Sequence, residues 1–151
     1  MKKIFVTLLL IIPALLASAQ GPIRLWNDKL DAFIEVFNQC DPDLEKLYSD
    51  NGINAFTFTY YEPETKNVVK EASIFNNDAF KLVDDELMNQ AKAIVVNRLS
   101  EAAKKDTKLN NILNEFSKKD TNIVLLYSTN IDDTKATKQI LITPEEIKAK
   151  K

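Results

Sequence analysis

Apolar residues recur at three- and four-residue intervals from Leu25 through Trp26, Leu30, Phe33, Ile34, Phe37 and Cys40. Asp28, Lys29, Asp31 and Asn38 fall between them, the pattern of an amphipathic helix. Pro42 is expected to interrupt this helix. Asp41-Pro42 is itself a start signal, an acidic cap followed by proline at the first helical position, so a short second helix is predicted through Leu44 and Leu47. Gly52 is expected to end it, because glycine takes the left-handed conformation without steric cost.

The period then falls to two. Ala55 to Tyr60 alternates strictly with β-branched and aromatic residues, which predicts a half-buried strand with Phe56, Phe58 and Tyr60 on one face. Glu62 to Asn67 is polar, and Val68 to Phe75 resumes a strand-like run, so the two form a hairpin. Asn76-Asn77-Asp78 caps a long helix reaching about Lys104, with Phe80, Val83, Leu87, Ala91, Ile94, Val95, Leu99 and Ala102 as its apolar stripe. Asp106 or Thr107 caps a further helix carrying Leu109, Ile112, Leu113 and Phe116 at i, i+3, i+4 and i+7. Ile123 to Tyr127 and Lys138 to Ile142 read as a second hairpin around the polar stretch Thr129 to Ala136. Thr143 and Glu146 stand at capping-box spacing for a last helical turn. The order α-α-β-β-α-α-β-β plus a short terminal helix predicts one α+β domain. Its expected sheet is antiparallel, with about four strands in two hairpins and helices packed on one face.

Residues 1–19 follow a different pattern. Lys2 and Lys3 precede an uncharged apolar run, Ile4 to Leu16, and Ala17-Ser18-Ala19 supplies small residues at signal-peptidase spacing. The run is shorter than a membrane-spanning helix requires, and no second one follows. The expectation is therefore a signal peptide at 1–19, a single domain at 20–151, and export to the periplasm or the extracellular space. Cleavage would leave 132 of the 151 residues and remove two lysines and no acid, moving the net charge from −2 to −4. Mild acidity with interspersed Lys and Glu argues against nucleic acid, which needs a concentrated basic face. No membrane span is expected after cleavage.

The C-terminal half adds a resemblance. A long acidic helix, a shorter helix over Asp106 to Phe116, and a hairpin closing in Ile140-Leu141-Ile142-Thr143-Pro144-Glu145-Glu146-Ile147 resemble a group of small exported bacterial proteins of unknown function. Members often carry Asn-x-x-Cys-Pro in the first helical region. Here Asn38-Gln39-Cys40-Asp41-Pro42 stands in its place, with Asp41 inserted. The resemblance implies export and an α+β architecture, and it brings no catalytic residue.

Several chemistries lack their residues. The chain has no His, which removes imidazole acid–base work, Ser-His-Asp and Cys-His arrangements and the HExxH zinc site. With two glycines there is no phosphate-cradling loop, and with Cys40 as its one cysteine there is no Cys-x-x-Cys site. Cys40 is expected to be a buried structural residue. No cofactor, metal or catalytic residue is expected. Asp84, Asp85 and Glu86 are the densest carboxylates, and a helix N-terminus accounts for them.

The aromatic strand is the better functional lead. Tyr60 and Tyr61 must face opposite ways, so Tyr61 is expected to project from the helix-free sheet face beside Thr57 and Thr59. Pro63 stiffens the adjoining loop. These four residues form the candidate partner-binding set, with a protein or a glycan as partner. The leading expectation is a non-enzymatic exported binding or structural module of the cell envelope. The alternatives are an inhibitor inserting loop 62–67 or 129–136 into an enzyme, and a hydrolase using two carboxylates.

Overall fold

A computed structural model describes residues 28–61, 67–129 and 136–149. The proposed signal peptide, Trp26, Pro63 and most of both hairpin loops lie outside the described residues. The elements are α1 (Asp28–Asp50), β1 (Phe56–Tyr61), β2 (Val68–Ile74), α2 (Asn77–Phe80), α3 (Asp85–Lys105), α4 (Thr107–Lys118), β3 (Ile123–Thr129), β4 (Ala136–Ile142) and α5 (Pro144–Lys148). This is an α+β domain with one four-stranded sheet.

The two expected hairpins are present, β1 with β2 and β3 with β4, each antiparallel. They join through a parallel β2–β3 pair, so the sheet is mixed, in the order β1-β2-β3-β4. The parallel pair follows from the connection. A chain leaving β2 through three helices crosses back before entering β3, and such a crossover brings the second strand in parallel to the first.

The first helical region differs from expectation: α1 is one helix with Pro42 inside it. Proline has no N–H to offer the Asn38 carbonyl, which costs about 3 kcal/mol in a helix interior. The apolar stripe nevertheless runs unbroken through that point. Phe33, Phe37, Cys40, Leu44 and Tyr48 are all buried, and burying a large apolar side chain returns roughly 1.5–3 kcal/mol each. Packing of both halves on one core outweighs the lost bond. Gly52 closes the helix as expected, at φ +84°, with the Ile53 N–H donating to the Tyr48 carbonyl.

The expected long helix from Asn77 is instead divided. Asn76 caps the four-residue α2, accepting from the backbone N–H of Asp78 and Ala79. The chain then turns, and Asp84, in extended conformation, caps α3 by accepting from the Leu87 N–H. Asp84 competes with continued helix by offering its carboxylate to the backbone. Lys138 of β4 steadies the turn, donating to the carbonyls of Phe80 (3.2 Å) and Val83 (2.6 Å). Asp84, Asp85 and Glu86 are thus the cap and first turn of α3.

The remaining caps follow the sequence. Asp106 caps α4, and Thr143 with Glu146 forms a capping box on α5. One core cluster unites the stripes of α1, α3 and α4 with the inward side chains of the sheet, among them Val68, Ala72, Ile74, Ile123, Leu125, Tyr127 and Ile142. Val69 and Val124 are buried but belong to the opposite face, outside that cluster.

Candidate functional site

The strand registers arrange the helix-free face in three rows. Tyr61, Val69, Val124 and Leu141 align across the four strands as an apolar row. Thr59, Glu71, Leu126 and Gln139 form the next, and Thr57, Ser73, Ser128 and Thr137 form a hydroxyl row. The middle strands are closely packed: Val69, Glu71, Ser73, Val124 and Ser128 are buried, with Ser128 at 0 % exposure. The outer strands are open. Thr57, Thr137, Gln139 and Leu141 are exposed, and Thr59 and Tyr61 are half-buried. Leu141, at 46 %, is one of the most exposed large apolar residues described.

Glu71 organises the middle of this face. Its carboxylate accepts from the hydroxyls of Tyr61 (3.1 Å), Ser73 (2.9 Å) and Ser128 (3.1 Å). Three hydroxyl donors from three strands satisfy a buried carboxylate that would otherwise carry a heavy desolvation cost. The expected set is therefore brought together only in part. Tyr61, Thr57 and Thr59 share the face, Tyr61 is anchored to Glu71 rather than freely projecting, and Pro63 lies outside the described residues.

Sequence reasoning missed the second polar cluster, on the helix side. Lys70, next to Glu71 on β2, points inward and is 3 % exposed. Its ammonium pairs with Asp41 of α1 at 2.5 Å and donates to the Tyr60 hydroxyl at 3.3 Å, while Tyr60 donates to the other Asp41 oxygen. The same ammonium lies 4.0 Å from the Phe58 ring centre, 4.3 Å from that of Tyr60 and 5.7 Å from that of Phe37. Negative ring faces supplement the single carboxylate in holding the cation. Burial lowers the Lys70 pKa against the opposing pull of Asp41. Burial, then the bond to Asp41, raises that of Tyr60. Cys40 sits beside them, and its burial pushes the thiol up to about 12. A thiol so held is not a nucleophile at neutral pH.

This cluster has the composition of a catalytic centre without room for a substrate. The void beside Lys70 measures about 10 Å³, the size of one water. The cluster's role is to join the middle of α1 to β1 and β2.

A larger groove, about 660 Å³, runs between α1 and α3 over Val36, Ile94 and Ala102. Its carboxylates are mostly engaged. Asp43 pairs with Arg98 at 2.8 Å, Glu101 with Lys104 at 3.1 Å, and Asp106 caps α4. Glu35 lies at its exposed rim, and among the described residues no pair of unengaged acids converges there as two-carboxylate hydrolysis requires. Among the described residues no cluster of acidic or Cys side chains is arranged to hold a metal ion, and no helix is long and apolar enough to cross a membrane.

The chain matches no family model, no curated protein and no solved structure.

Proposed function

We propose that the chain is an exported, non-enzymatic binding module that engages a protein partner through the helix-free face of its sheet. The observation that carries this reading is the row Tyr61–Val69–Val124–Leu141, apolar across four strands and lying outside the main core. An exposed leucine at one end and a half-buried tyrosine at the other give a partner apolar area to bury. The neighbouring Thr57, Thr137 and Gln139 supply a polar rim of the kind that surrounds such contacts. Export rests on the pattern of residues 1–19, and the envelope is the expected place of action.

An extended apolar row suits a protein better than a glycan, which asks for an aromatic platform ringed by hydrogen-bonding groups. The test is affinity capture from the native envelope and culture supernatant with the mature domain and its Leu141→Glu variant. A protein retained by the wild type and lost with Leu141→Glu supports the reading. Equal capture by both, or retention of glycan alone, overturns it.

A further inference from the structure

We propose that the core contains a binding site for one ordered water molecule, held between Tyr127 of β3 and Lys70 of β2. The small void beside Lys70 is bordered by Tyr48, Tyr127, Phe58 and Ala72 among its lining residues, and at about 10 Å³ it takes nothing larger than a single water. Volume alone does not call for water, since apolar voids stay dry. The count of hydrogen-bond donors does.

Tyr48 donates its hydroxyl proton to the Tyr127 oxygen at 3.0 Å. The Tyr127 hydroxyl proton then has no acceptor among the described residues. Reversing the bond only moves the shortfall to Tyr48, because two hydroxyls joined by one bond always leave one proton over. Both residues are buried, at 2 % and 1 % exposure, so bulk solvent does not make up the difference. Lys70 has the same surplus. Its ammonium carries three protons, of which Asp41 and Tyr60 accept two.

The void is thus bordered by two residues with donors to spare and no spare carboxylate. A water oxygen, with two lone pairs, accepts both protons, and its own hydrogens face the Tyr48 oxygen and the Phe58 ring. The water connects the tyrosine pair to the Asp41–Lys70–Tyr60 cluster. One polar chain then runs from the centre of the core to Asp41, whose side chain is 19 % exposed. Leaving a buried donor unmet costs about 1–3 kcal/mol, which is the driving force for holding the molecule.

The test is a crystal structure at a resolution that shows ordered water, for the full domain and for the Tyr48→Phe/Tyr127→Phe double variant. Tyr127→Phe alone would only hand the spare proton to Tyr48, whereas the double variant removes both hydroxyls and keeps both rings. Density for one water, within about 2.6–3.2 Å of both the Tyr127 Oη and the Lys70 Nζ, supports the site, as does its loss in the double variant. A void without density, or side chains closed over it, overturns the proposal. So does a water that stays in place when both tyrosine hydroxyls are gone.

Discussion

Lys70 and Glu71 are consecutive on β2 and lie on opposite faces of the sheet, both buried, at 3 % and 8 % exposure. Each charge is met differently. Lys70 is held by the carboxylate of Asp41 and three aromatic rings, and Glu71 by three hydroxyls. The central strand therefore carries one polar centre inside the core and another beneath the outer face.

The Asp41–Lys70 pair should show the asymmetry of buried ion pairs. Asp41→Asn leaves a buried cation without its counter-charge and should cost about 3–5 kcal/mol. Lys70→Met in the same background fills the space with an apolar chain of similar length and should recover most of the loss. Urea unfolding of the two single variants and the double variant measures the coupling. A double-variant loss equal to the sum of the two single losses would show that the pair is not coupled.

Cys40 makes stability fall at alkaline pH. Its pKa is raised from 9.0 to about 12 in the fold, so the folded state keeps a proton that the unfolded chain releases. That contribution is whole below pH 9 and is lost as pH rises to about 12, up to about 4 kcal/mol in all. The raised Tyr48, Tyr60 and Tyr127 act in the same direction above pH 10. Lys70 acts oppositely, since its lowered pKa makes stability rise with pH between that value and 10.5. Cys40→Ala should cost of order 1 kcal/mol at pH 7 through a small cavity. It should also flatten the decline between pH 9 and 11 in urea-midpoint measurements. Rapid labelling of the native thiol at pH 8 would contradict the buried assignment.

Pro42 sits in α1 against local preference. Pro42→Ala restores an N–H to the helix and should raise stability by about 2 kcal/mol, after allowing for the greater freedom of the unfolded chain. Thermal unfolding of the variant checks this. A loss would mean that the proline ring itself supports the position of Asp41.

Phe58 and Tyr61 should separate the two sheet faces. Phe58 packs against Phe56 and Tyr48 and lies beneath the Lys70 ammonium, so Phe58→Ala should cost about 3 kcal/mol. Tyr61→Phe removes one of three hydroxyl donors to Glu71 and should cost about 1 kcal/mol. Chemical denaturation compares them, and equal losses would mean that the Tyr61–Glu71 hydrogen bond carries as much stability as the buried Phe58 ring.

Much of this arrangement is legible in the chain. The caps at Asn76, Asp106 and Thr143, the left-handed Gly52 and the two hairpins follow from local chemistry, which acts over a few residues. The continuity of α1 does not, because the forces that carry it past Pro42 are contacts with distant α3, β1 and β2. The division at Asp84 turns on whether a side chain or the next helical turn claims the Leu87 N–H, a near-balance in which Lys138, far along the sequence, takes part. Lys70 was within reach of the alternation rule, since it shares the parity of Val68, Ala72 and Ile74. What hid it was the rarity of buried lysine, and its partner Asp41 reads locally as a cap before proline. The row linking Tyr61 to Leu141 required the strand registers, and the parallel β2–β3 pair sets the middle one.

Binding of a partner through the helix-free face is tested by site-specific photocrosslinking in the cells that make the protein. A benzophenone side chain at Gln139, on that face, is compared with one at Glu35, on the rim of the α1–α3 groove. A discrete crosslinked protein is expected from position 139, lost when Leu141→Glu is added, and none from position 35. A crosslink from position 35 alone, or equal products from both positions, would contradict it.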